Sequence, residues 1–177
     1  MSAHNPINTL IAEHEIISGI NEKLIDLNLL WEKNPELYKD SITKILDFLK
    51  RYSDGYHHHK EEEVLFPALS EHPDFLLQGI LDELLEHHEN FREYAQEAND
   101  ALNEGNFQLV QKILSKYLDQ LADHIAIEND ELFIMAENLF DENQLETIYF
   151  KFKDIDLELG ENTKIELEKV PGLLEKM

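Results

Sequence analysis

The sequence predicts an all-α protein, an up-down-up-down four-helix bundle with an additional C-terminal helix. Three observations carry this. Apolar residues recur at helical spacing over four long stretches. The six glycines and five prolines among 177 residues fall mostly at the breaks between those stretches. The breaks themselves are only a few residues long, which makes consecutive helices antiparallel neighbours.

The elements follow in order. Asn5-Pro6 reads as an N-cap with proline at the first helical position, opening a helix that carries Ile7, Leu10, Ile11, His14, Ile17, Leu24, Leu27 and Leu30 and runs to Trp31. Glu32-Lys33-Asn34-Pro35 is the first turn. A second helix extends from about Leu37 to Leu69, with Gly55 as an irregularity and Pro67 tightening its last turns. His72-Pro73-Asp74 is the second turn. The third helix spans about Phe75 to Leu102 and stops at Glu104-Gly105-Asn106; the fourth spans about Phe107 to Leu139. Asp141 caps a shorter helix ending near Leu159, with Gly160 as its stop. A short helix is expected before Pro171-Gly172. The chain thus divides into a bundle, residues 1–140, and a C-terminal helix and tail, residues 141–177, packed on it.

Composition narrows the function. Fifteen Lys and Arg against 38 Asp and Glu give a formal charge of −23, a field that repels phosphate and argues against nucleic acid and anionic membranes as partners. With no cysteine, disulfides, thiolate catalysis, Fe–S ligation and cysteine-type zinc are excluded. No basic stretch followed by an apolar one opens the chain, and no apolar run approaches the ~20 residues of a membrane span. The expected location is cytoplasmic.

The chemistry lies in a repeat. His57-His58-His59-Lys60-Glu61-Glu62-Glu63-Val64-Leu65-Phe66 and His124-Ile125-Ala126-Ile127-Glu128-Asn129-Asp130-Glu131-Leu132-Phe133 both read H-x-x-x-E-x-x-x-L-F. Residues four apart share a helix face, so each imidazole and carboxylate can reach one metal, or a metal and its neighbour, with Leu-Phe as an apolar wall. A lone histidine precedes each copy. His14 sits among Ile7, Leu10, Ile11 and Ile17, and His88 among Leu81, Leu84, Leu85 and Phe91; both point inward, whereas His87 faces an edge. His57 aligns with Leu49, Val64 and Leu65. His58 aligns with Asp47, Arg51 and Asp54, and it and His59 read as solvated surface, as do the glutamates after Glu61. One such histidine is ordinarily a satisfied core residue. Four histidines and two glutamates in two matching registers are costly to bury unless a cation pairs them, and the donor set suits iron or manganese.

The strings HHHKEEEVLFPAL and HIAIENDELFIMAE, with AEHE before the first and EHHENFR before the second, resemble hemerythrin-like (HHE cation-binding) domains over roughly Ile7 to Phe140. The resemblance implies two iron ions, oxo- or hydroxo-bridged, on His14, His57, Glu61, His88, His124 and Glu128. In the symmetric form, one iron takes His14 and His57, the other His88 and His124, and the glutamates bridge. Oxygen-carrying members have a further histidine where Arg92 stands and an aspartate where Asn129 stands, so the chain is closer to the six-ligand bacterial and archaeal branch. Tyr117 and Tyr56 read as core tyrosines with a lesser claim to contact a bound oxygen species. Arg92 reads equally as a partner of Glu13 or Glu89 and as exposed. The implied function is binding or detoxification of O₂, peroxide or NO, as a sensor or as a di-iron peroxidase or NO-handling oxidoreductase served by a redox partner. The alternative is iron handling or Fe–S cluster repair without small-molecule turnover.

Overall fold

The structure, a computed structural model, describes residues 4–174. Four long rods form the bundle: α1 (Pro6–Asp26), α2 (residues 35–71), α3 (Gln78–Asn103) and α4 (residues 107–139). Three shorter helices follow, α5 (Glu142–Leu159), α6 (Glu161–Glu168) and α7 (Val170–Leu173). Residues 175–177, the end of the expected tail, lie outside the described residues. Among the described residues no helix is long and apolar enough to cross a membrane.

Local chemistry sets the boundaries. Asn5 accepts the Ile7 N–H at 2.9 Å with Pro6 at the first helical position. Asn34 caps α2 in the same way, ahead of Pro35. Asp141 and Gln144 form a reciprocal capping box at α5, satisfying two donors that a helix start leaves open. Two ends differ from expectation. The first helix stops at Asp26, because Leu29 takes a left-handed φ of 61° with its N–H on Gln111, and a 3-10 turn, Leu30–Glu32, continues to Trp31. The third begins at Gln78, because Phe75 N–H bonds back to the His72 carbonyl and holds the segment as a turn.

The core runs the length of the bundle, from Tyr38, Ile42 and Leu114 at one end to Leu69, Leu81 and Ala136 at the other. The first, second and fourth rods present long apolar stripes broken at mid-length by imidazoles and carboxylates and, on the second, also by Lys60 and Ser53. Ile148, Phe152 and Ile155 of α5 are buried, so the C-terminal helices share this core.

A buried ion network ties them to it. Lys60 is fully buried, its Nζ 3.0 Å and 3.2 Å from the two Glu13 oxygens, 2.8 Å from Asp156 and 2.7 Å from the Tyr56 hydroxyl. Tyr56 donates to Asp156 at 2.5 Å, and Tyr52 to Glu168 at 2.9 Å. Burial and the Glu13 charge push both tyrosine pKa values upward, which keeps them donors. Asp156 is held at about 2: burial opposes its charge, and bonds from Lys60 and Tyr56 outweigh burial. Removing one partner of such a pair strands the others. The substitution K60M should therefore cost the metal-free protein about 3–5 kcal/mol in urea denaturation, against a small change for K50M at an exposed position of the same rod.

Candidate metal centre

Both repeats adopt the same local irregularity. The segments Glu61–Leu65 and Glu128–Leu132 are π turns, in which the N–H of Phe66 or Phe133 bonds to the carbonyl of Glu61 or Glu128, five residues back. A third π segment, Leu49–His58, precedes the first. Gly55 lies within it, where a Cβ would come 3.2 Å from the Lys50 carbonyl. A π segment puts more residues in each turn than the about 3.6 of an α-helix, so neighbours in sequence diverge less around the axis. Consecutive residues then share the inward face: Tyr56, His57 and His58 are all at most 2% exposed, as are Leu132 and Phe133.

The six expected donors meet at mid-bundle, each at most 3% exposed. Glu61 places Oε1 at 3.4 Å from His57 Nε2 and Oε2 at 3.4 Å from His88 Nε2. Glu128 places Oε1 at 3.1 Å from His124 Nε2 and Oε2 at 3.0 Å from His14 Nε2. Each carboxylate thus faces one imidazole of each pair. His14, His57, Glu61 and Glu128 each offer a donor atom within 4.8 Å of the others, and so do His58, Glu61, His88 and His124. The apolar walls cross over: Phe66 of the first repeat stacks on His88, and Phe133 of the second on His14.

Behind the rings stand their supports. His14 Nδ1 lies 2.8 Å from Asn129 Oδ1 and His88 Nδ1 2.7 Å from Glu62, whereas His57 Nδ1 faces Glu13 at 3.7 Å, beyond hydrogen-bond reach. His124 Nδ1 is 3.3 Å from His87 Nδ1. A histidine held by an acceptor at one nitrogen presents the other as a fixed ligand. Arg92 bonds Glu89, Glu62 and Asp54; it does not reach Glu13. Tyr117 is buried beside Phe91, and burial pushes its hydroxyl pKa up.

Four residues here escaped the sequence reading. His58, expected at the surface, is 2% exposed and stacked on His88, because the π segment turns it inward with His57. Glu13 and Lys60 are buried behind His57. The spacing test used for His14 would have found them: Glu13 lies between Leu10 and Ile17, and Lys60 between Tyr56 and Val64, each on an apolar face. Glu62, read as part of a charged face, buttresses His88.

The donors fit a cation. Nε2 of His14, both ring nitrogens of His57 and all four oxygens of Glu61 and Glu128 are buried without a hydrogen bond, an arrangement costing on the order of 1–3 kcal/mol per group when nothing compensates it. Nitrogen and carboxylate donors without sulfur suit iron or manganese. Without a cation, protons take over the balancing. Burial opposes a charged His57, but Glu61 and Glu13 outweigh it and raise its pKa to about 10; burial likewise opposes His88, and Glu61 and Glu62 raise it to about 9. Glu128 is held well below the usual carboxylate range, its burial outweighed by His124 and His14.

A family model, the hemerythrin HHE cation-binding domain, matches residues 5–136. Comparison with curated proteins and with solved structures finds no match.

With pKa values of about 10 and about 9, His57 and His88 are protonated at pH 7 in the metal-free protein and must lose those protons to become ligands. Loading with ferrous iron at pH 7 should release about two protons per chain. Metal affinity should climb with pH and level off once both imidazoles are neutral, above about 10. Calorimetry in buffers of different ionisation enthalpy measures the release; a metal uptake that liberates no protons would contradict the assigned charge states.

Proposed function

We propose, because this chain belongs to the hemerythrin HHE cation-binding domain family, that it holds two iron ions and uses them to bind or detoxify a small oxygen or nitrogen species, O₂, peroxide or NO. The observation carrying this reading is the pair of buried glutamates, each with one oxygen toward His14 or His57 and the other toward His88 or His124. His14, His57, Glu61, His88, His124 and Glu128 would hold the metals. The iron pair, when bound, supplies reversible one- and two-electron redox chemistry at the interior of the bundle.

The chain's own residues set what such a centre can do. Donors at most 3% exposed admit only a small ligand. Phe66, Phe133 and Phe91 lie against His88, His14 and His124, keeping the interior dry and strengthening every charge interaction in it. A cleft of about 440 Å³, lined by Asp54, Arg92 and Tyr117 among others, shares Phe91 with this wall. Oxidising or reducing equivalents would come from a separate redox partner.

Metal analysis of the purified protein, followed by anaerobic reduction and separate titration with O₂, peroxide and NO, tests the reading. Two irons per chain and a spectral change with at least one ligand are expected. Turnover of peroxide or NO assigns an enzyme, reversible spectra without turnover a binder. Inert, tightly held iron favours an iron-handling role and overturns the reading proposed here. H57A and H124A should each lower the iron content to one per chain or less; two irons in both variants would show the ligands to be elsewhere.

A further inference from the structure

The symmetric four-histidine arrangement leaves His58 without a task, although it is buried and stacked on His88. His58 shares with Glu61, His88 and His124 a set of donor atoms within 4.8 Å of one another. Its ring lies 3.8 Å from that of His88 at 16° and edge-on to His124 at 5.7 Å, so three imidazoles surround one point. Its Nδ1 is 3.3 Å from Asp54 Oδ1, which leaves Nε2 for the interior, the same division of labour as His88 shows with Glu62. One residue organises both supports: Arg92 bonds Asp54 at 2.9 Å and Glu62 at 2.6 Å. A surface histidine needs no such backing, and a core histidine has no reason to share the clamp of its neighbour. Carboxylates behind imidazoles, held in turn by their own partners, are how proteins orient metal ligands.

We propose that His58 is a fifth imidazole ligand of the centre. It joins His88, His124, Glu61 and Glu128 at one metal position, while the other keeps His14, His57 and the same two glutamates. This rests on the reading of a metal pair above and adds to it that the two positions are unequal, one with three imidazoles and one with two. The π segment Leu49–His58 is the structural means, since it lets His57 serve one position and its neighbour His58 the other.

The test uses the full chain labelled with ¹⁵N-histidine and loaded with Co(II), whose paramagnetism displaces the ring N–H resonances of its ligands. Five displaced imidazole N–H resonances with two cobalt ions per chain are expected; four with two cobalt ions overturn the assignment of His58 and leave the metal pair standing. A chain that takes up no cobalt sinks both. H58Q should lose one displaced resonance and weaken one of the two binding events by at least about tenfold, while H59Q leaves the count and both affinities unchanged. Equal cobalt affinities in H58Q and the parent would also refute the proposal. Should H58Q not fold, the count in the parent protein decides alone.

Discussion

Two carboxylates facing each other inside an apolar bundle are the constraint from which the rest follows. Glu61 and Glu128 are fully buried, and each charge raises the cost of the other. Burial and Glu128 push the Glu61 pKa up; only the imidazoles of His57 and His88 bring it below its usual value. Such a pair survives in a folded chain when positive charge is fixed between and around it. The histidines surround the carboxylates, the Nδ1 acceptors surround the histidines, and Arg92 and Lys60 balance the acceptors. The chain carries a formal charge of −23, so two of its few cations being committed to this shell shows where the electrostatic strain lies.

The repeat in the sequence is a repeat of backbone as well as of ligands. Each of the two buried glutamates opens a π turn, and each turn closes on the phenylalanine that covers the other repeat's lone histidine. Insertion of an extra residue into a turn widens the rod locally and re-phases its faces. Leu65 and Phe66, adjacent in sequence, are therefore both buried, and Pro67, which lacks an N–H, falls just beyond the turn where the bonding pattern has already changed. The irregular backbone thus belongs to the site, flanked by regular helix on both sides of Glu128–Leu132 and after Glu61–Leu65, while a further π segment, Leu49–His58, leads into the first turn.

The extent to which sequence revealed the structure follows from this. Four rods, their caps and the inward direction of six donors were legible because α-helical spacing holds through most of α1, α3 and α4. Asn5 and Asp141 declared their helix starts by residue type alone, whereas Asn34, read as part of the first turn, also proves to be a cap. His58 was misplaced because its neighbours Asp47, Arg51 and Asp54 define a polar face only if the helix keeps its regular winding, and nothing in residue types marks where π winding begins. Lys60 and Glu13 were lost differently. Charged residues were assumed to be solvated, although both sit on apolar stripes; pairing across α1 and α2, with a separation of 47 residues, is invisible to any test of one helix at a time.

The segment following the bundle is part of the same electrostatic problem. The family match ends at residue 136, yet Asp156 and Glu168 complete the hydrogen bonds of Tyr56 and Tyr52, and Asp156 shares Lys60 with Glu13. Glu13 stands between Lys60 and the Nδ1 of His57. A change in how α5 seats Asp156 would thus alter the charge on Lys60's far side, the hold on Glu13 and the orientation of a donor to the centre. Coupling of this kind needs no motion of the bundle, only competition of two carboxylates for one buried ammonium. It makes the C-terminal helices an electrostatic support for the His57 side of the site, whereas behind His88 the equivalent work is done by Arg92 and Glu62 of the bundle itself, at its partly exposed face.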